Sequence, residues 1–249
     1  GAEEGSGASQ QQGLSAGWKN GKLLPMMVLF FFLAFNNALL DSTKDTLVVT
    51  ALGGAEQIPY LTVWAVLPCS FLFVGGFAFL SQHLGRAALF NFVLLSFLGI
   101  FGVYSLVLYP ARAALEPTAV CDSLISVLPA GLTGAVAVVR NWTSTLFYVL
   151  AELWGDVCLS LLFWGLANEV TRIDEAHTLY PLVGVGANVA QALAGRFLRA
   201  LPVLVPAADA TKAAADAAWG AQLALIMGTV VALTVASLAM HAYIWRRAG

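Results

Sequence analysis

Charge is what this sequence has least of. Only 10% of its 249 residues are Asp, Glu, Lys or Arg, against roughly 25% in an ordinary soluble domain, while 59% are hydrophobic. So apolar a composition names lipid as the surrounding solvent. The formal net charge of −2 and the scatter of the cations along the chain leave no basic field, which excludes nucleic acid as a partner. Cysteine is scarce too: Cys69, Cys121 and Cys158 are odd in number and widely spaced, so they make neither a disulfide framework nor a zinc site and read as free structural thiols. His83, His177 and His241 fall far apart near expected helix ends, giving no metal cluster and no catalytic dyad. No cofactor is implied, and an enzyme is the least favoured class.

What the chain has is long apolar runs. Residues 1–21, rich in Gly, Ser, Gln and Ala without an apolar period, read as a disordered or peripheral segment. Gly1 in place of Met fits either a targeting peptide removed upstream or a trimmed start. A spanning helix needs about 20 mostly apolar residues, and residues 22–249 supply candidates over about 23–52, 59–83, 86–109, 142–168, 178–204 and 219–245. The fold class expected is all-α, a polytopic bundle of six membrane helices. The third candidate is expected to stop at Pro110. Residues 111–140, broken by Pro117 and Pro129, read as a long surface or re-entrant connection. Six spans put both termini on one side, and the distribution of Lys and Arg leans toward that side being internal.

Ionisable residues at bilayer depth cost at least ~2.5–3.5 kcal/mol each, so they face a bundle interior and mark a path or a buried pair. On the first span, Asn37, Asp41, Lys44 and Val48 follow helical spacing and share a face, so Asp41 can reach Lys44. On the fourth, Thr145, Tyr148, Glu152, Asp156 and Ser160 form a second stripe. On the fifth, Asn188, Gln191, Gly195 and Arg199 lie together, with Arg196 at their margin. At 1.5 Å per residue, Lys44 sits roughly 12 Å from the end of its helix and Glu152 roughly 15 Å into an antiparallel one. The two can meet at similar depth, either as an ion pair that only stabilises the bundle or as part of a water-filled path. Gly184-x-Gly186 lacks the third glycine of a dinucleotide fingerprint and reads as close helix packing. The Asn141-Trp142-Thr143 sequon abuts a membrane helix and carries little weight.

Several stretches then carry a resemblance. KLLPMMVLFFFLAFN leading into TKDTLVVTALGGAEQIPYLTVW, ALFNFVLLSFLGIFGVYSLVLYP, and LFYVLAELWGDVCLSLLFWGLANEVTRIDEAHTLYPLVGVGANVAQALAGR resemble the plastid and intracellular-parasite type of ATP/ADP translocase. That family has about twelve helices in two halves, and the likeness covers its N-terminal six-helix half, one half of a major-facilitator-like transporter. The resemblance implies an ATP/ADP antiporter, or its N-terminal half, working by alternating access with ATP and ADP as transported ligands. It implies a lipid bilayer and a second six-helix half or other membrane subunits as partners. It places the family's transport lysine and glutamate on Lys44 and Glu152. Arg196 and Arg199 follow as candidate phosphate contacts and Asp156 and Asn188 as further path residues, with Tyr148, Trp154 or Trp164 stacking the adenine. Where many members carry arginine and aspartate before the TKD motif, this chain has Asp41 and Ser42.

The home implied is a plastid membrane, the inner envelope or, for a complex subunit, the thylakoid; a bacterial inner membrane is the alternative. The competing function is a half-length, non-transporting relative serving as a structural subunit of a large photosynthetic or respiratory membrane complex.

Overall fold

The computed structural model describes residues 23–51, 53–209 and 211–248; the expected peripheral segment at 1–21 lies outside them. Every regular element among the described residues is helical: α1 (Leu23–Thr50), α2 (Gly54–His83), α3 (Arg86–Leu115), α4 (Thr118–Val127), α5 (Thr133–Arg140), α6 (Trp142–Val170), α7 (Ile173–Leu204) and α8 (Lys212–Ala248). Helices α1, α2, α3, α6 and α8 are each long and apolar enough to cross a membrane, and the chain is an all-α polytopic membrane protein. Helix α7 has the length, at 32 residues, but its polar residues set it apart from the other five.

Helix α1 is the hub, packed on by α6, α7 and α8. Its Leu29, Leu33, Leu39 and Leu40 are fully buried. Lipid is as apolar as leucine, so helices in a membrane associate through close packing and small-residue contacts rather than through release of water. Ala190 and Ala194, four residues apart on α7 and fully buried, supply such a seam. The glycines expected to do so do not: a Cβ at Gly184 or Gly186 meets nothing within 4 Å. Asn36, buried in α1, donates from Nδ2 to the Val230 carbonyl (3.2 Å) and to Thr234 Oγ1 (3.1 Å), pinning α8 to the hub.

Prolines sit where helices would ordinarily break: Pro181 and Pro202 lie inside α7, and two others follow a widened backbone. Pro110 does not end α3, which continues to Leu115. A proline ring clashes with the carbonyl four residues back and leaves it without a donor; here the backbone widens into a π turn at Tyr104–Leu108, immediately before Pro110. The same device, a π turn at Thr62–Val66, precedes Pro68 in α2. A third π segment, Gly155–Phe163 in α6, has no proline to answer for it.

The 111–140 region resolves into the end of α3 and the α4–α5 hairpin. Helix α4 is too short to span, and the hairpin docks on the α1–α2 turn. Glycine is required on both sides of that seam. Gly53 has φ of +98°, and a Cβ there would fall 2.5 Å from the Ala137 Cβ. A Cβ on Gly134 would meet the Tyr60 ring at 2.8 Å and the Glu56 carbonyl at 2.9 Å. Tyr60 donates its hydroxyl to the Gly131 carbonyl. Arg140 holds Asp122 through Nε at 2.7 Å, and Thr145 donates to the Val138 carbonyl at 2.8 Å, so the hairpin is tied to α6 as well.

Candidate functional site

The site grows from one lysine near the end of α1. Lys44 is buried, its side chain only 7% exposed, and its ammonium meets carboxylates from two helices. It donates to Asp41 one turn earlier, lies 2.9 Å from Glu152 on α6 and 3.8 Å from Asp45. The Tyr148 ring, one turn before Glu152, lies under the ammonium at 5.0 Å, close enough for the ring quadrupole to favour the charge. Tyr148 is buried against Val48 and Leu61, with Val138 of α5 packed on the same cluster. The floor of the site is therefore fixed by α1, α2, α5 and α6 together.

Three carboxylates stand against one ammonium, and they are not equally exposed. Glu152 is about one-third exposed, at 34%, while Asp41 and Asp45 are open at 57% and 55%. Open carboxylates on a membrane helix are expensive toward hydrocarbon, so this face meets water or a polar partner. The opposite situation holds on α2 and α3, where Phe71, Leu72 and Leu106 are all more than two-thirds exposed and suit lipid. The bundle thus has one polar and one apolar outer face. Lys44 sits inside the polar one.

Of the residues singled out in the sequence, the structure brings together Lys44, Asp41, Glu152 and Tyr148. Asp156, one turn beyond Glu152, is exposed at the start of the π segment. A Cβ on its neighbour Gly155 would come 2.7 Å from Asn37 Oδ1, so a glycine lets α6 lie close on α1 just beside the ion pairs.

Arg196, Arg199 and Asn188 are exposed on α7 and do not join Lys44. The Phe197 ring packs on Phe35 at 6.4 Å, which puts both arginines level with the middle of α1, roughly 13 Å along the axis from Lys44. Among the described residues neither takes part in an ion pair. Trp154 is not available to a base: it is fully buried, edge-on to Phe97 at 5.4 Å, and donates to the Leu33 carbonyl at 3.4 Å. Trp164 is likewise engaged, edge-on to Tyr180 at 4.9 Å and to Phe163 at 5.4 Å. Asp45 is the member that sequence reasoning passed over, although its place inside the TKD motif was signal enough.

Comparison with known proteins identifies the family. The chain is 51% identical over 175 residues to ADP,ATP carrier protein 1 of Chlamydia trachomatis, covering 70% of this chain and 33% of that one. It is 44% identical over 225 residues to ADP,ATP carrier protein 1 of Chlamydia pneumoniae, covering 90% and 42%. To the chloroplastic ADP,ATP carrier protein 1 of Arabidopsis thaliana it is 39% identical over 230 residues, covering 90% and 36%. The chain therefore spans only about two fifths or less of these relatives' lengths. No solved structure matches it. The profile of the TLC ATP/ADP transporter family matches residues 17–248, and the chain belongs to that family.

Proposed function

We propose that this chain forms one six-helix half of an adenine-nucleotide exchange pathway, with α7 spanning alongside the other five, and that the Lys44–Glu152 pair is its moving charge contact. The observation that carries the reading is the pair itself: a buried ammonium held by carboxylates from two helices, on the outer face that lipid cannot cover. Relatives named ADP,ATP carriers supply the substrate class, and their greater length fits a second half closing the path opposite. Being carriers, they favour a transport role over an enzymatic one. The relatives' plastid and chlamydial sources favour a plastid membrane for this chain, with a bacterial inner membrane as the alternative.

The mechanism follows from competition for Lys44. With no nucleotide bound, Glu152 occupies the ammonium and ties α6 to α1. Two unit charges 4 Å apart interact by roughly 4 kcal/mol at an effective dielectric near 20, so a phosphate chain with several charges outcompetes a single carboxylate. Its approach past Asp41 and Asp45 is opposed, which makes binding depend on Lys44 swinging away from them. Release of Glu152 then frees α6 from α1. A nucleotide that binds only the freed state shifts the chain toward it, and exchange follows when the opposite half closes the site from the other side.

The test is uptake of labelled ATP into liposomes loaded with ADP, containing the purified chain together with the membrane proteins that co-purify with it. Uptake that requires internal ADP supports the reading. Absence of uptake, with nucleotide failing to protect the protein from thermal unfolding, overturns it.

A further inference from the structure

Helix α2 stands apart from the rest of the bundle. The most apolar stretch of its span has no buried residue, and Phe71 and Leu72 are 71% and 76% exposed. Between α2 and the bundle lie two cavities that share Phe77. The first, about 380 Å³, is walled by α2, α3 and α6 and is almost wholly apolar, with Phe73, Val93, Phe97 and Leu150 among its lining. The second, about 370 Å³, opens where α2 turns into α3 and α6 ends, and it is where the polar groups collect: Ser81, Arg86, Glu169 and His241.

The mouth is built rather than incidental. Arg86 Nη1 lies 3.2 Å from Glu169 Oε2, and the arginine is 74% exposed, so its remaining donors are open. His241 is buried against Phe90, stacked at 4.0 Å with the rings 10° apart, and its Nδ1 is 3.0 Å from Asn91 Oδ1. It forms a fixed wall. From Arg86 at the mouth to Ile100 at the inner end, the groove follows α3 for roughly 21 Å. Half the thickness of a bilayer with its headgroups is about 20–22 Å. Taken end to end through Phe77, the two cavities match the depth of one leaflet, polar at one end and apolar along the rest.

We propose that this groove holds one zwitterionic glycerophospholipid of that leaflet, with an acyl chain between α2 and the bundle, the phosphate at Arg86 and the cationic end of the headgroup at Glu169. The charges decide the class. A guanidinium alone would suit any phosphate, and the adjoining carboxylate adds a partner for a cationic headgroup while opposing a purely anionic one. A groove 21 Å deep with polar groups at one end only suits a head-and-tail molecule better than a compact solute or a peptide, whose backbone would meet no partner along the apolar walls.

The experiment is native mass spectrometry of the purified chain in mild detergent after incubation with phosphatidylethanolamine or phosphatidylglycerol of matched acyl chains. We expect about one phosphatidylethanolamine per chain, retained severalfold over phosphatidylglycerol. Glu169→Gln should erase the preference, and Arg86→Gln should lower retention of both lipids. Gly76→Leu, at a lining position where a Cβ meets nothing within 4 Å, should fill the groove and cut retention about tenfold with thermal unfolding unchanged; Ser96→Leu, across the same cavity, is the second blocking variant. Equal retention of the two lipids in the unaltered chain, or full retention in both blocking variants, overturns the proposal.

Discussion

The Lys44 ammonium reaches Glu152 at 2.9 Å across the α1–α6 seam while also holding Asp41 within its own helix. One cation therefore makes two kinds of bond, one within a helix and one between helices. Only the second is available to couple a ligand to helix movement. A phosphate that took the place of Asp41 would leave α1 and α6 tied; one that took the place of Glu152 would release them.

Replacing Lys44 by Ala should abolish ADP-dependent ATP uptake, to below a hundredth of the unaltered rate, with the helix content kept. The three carboxylates left behind are each at least one-third exposed and can be hydrated, so the fold survives with a loss of about 1–3 kcal/mol. Circular dichroism and uptake measured on the same preparation check this, and undiminished exchange would remove Lys44 from the mechanism.

Exchanging the pair tests the contact itself. Lys44→Glu alone gathers four carboxylates at one point, and Glu152→Lys alone sets two ammonium groups together. Both singles should be less stable and inactive. The double substitution restores a cross-helix pair, but the carboxylate it brings into α1 stands beside Asp41 and Asp45 with no cation left in that helix, so recovery should be partial. A double-mutant cycle on thermal stability should show favourable coupling of about 1–3 kcal/mol; zero coupling would mean that the two side chains act independently.

Much of this site's geometry was legible in the sequence, and what was not has several separate physical causes. Asp41 and Lys44 lie one turn apart, so helical spacing alone paired them, and simple rise-per-residue arithmetic brought Glu152 to similar depth. The same arithmetic could not place Arg196 and Arg199, because the axial offset of one helix on another is set by packing, here Phe35 against Phe197. Trp154 was ambiguous for another reason: an aromatic on a polar-striped helix serves a core as well as a ligand, and only its contacts with Phe97 and Leu33 decide. Pro110 misled because stop rules assume an unbroken α ladder, whereas a π turn re-registers the helix ahead of the proline. The α4–α5 hairpin is held by glycine contacts with distant residues, which no local pattern reports.

Those contacts give a third prediction. Gly134→Ala would place a Cβ 2.8 Å from the Tyr60 ring and 2.9 Å from a backbone oxygen of Glu56. A ring can shift, but the backbone of the α1–α2 turn is held by Gln57, whose Nε2 donates to the Val48 carbonyl at 2.9 Å. The substitution should cost about 1–3 kcal/mol and raise amide exchange across residues 118–140. Gly131→Ala, where a Cβ meets nothing within 4 Å, is the matched control and should change neither. Equal effects at the two positions would show that the seam is not set by steric contact.

The hairpin should also loosen in acid, and the direction follows from Asp122. Arg140 donates to both oxygens of its carboxylate, at 2.7 and 3.4 Å, and this hydrogen bonding holds the Asp122 carboxyl below its ordinary value. A carboxyl whose folded value lies below its unfolded one, about 3.9, contributes its full stabilisation above that unfolded value and loses it as pH falls through the folded one. Amide exchange of α4 and α5, corrected for intrinsic rates, should therefore be flat from pH 7 to about 5 and rise below about 4. Because the aspartate side chain is about half exposed, at 52%, salt should weaken the effect. Asp122→Asn should remove most of the pH dependence while leaving α1 and α6 untouched; an unchanged acid profile in that variant would assign the loosening to other groups.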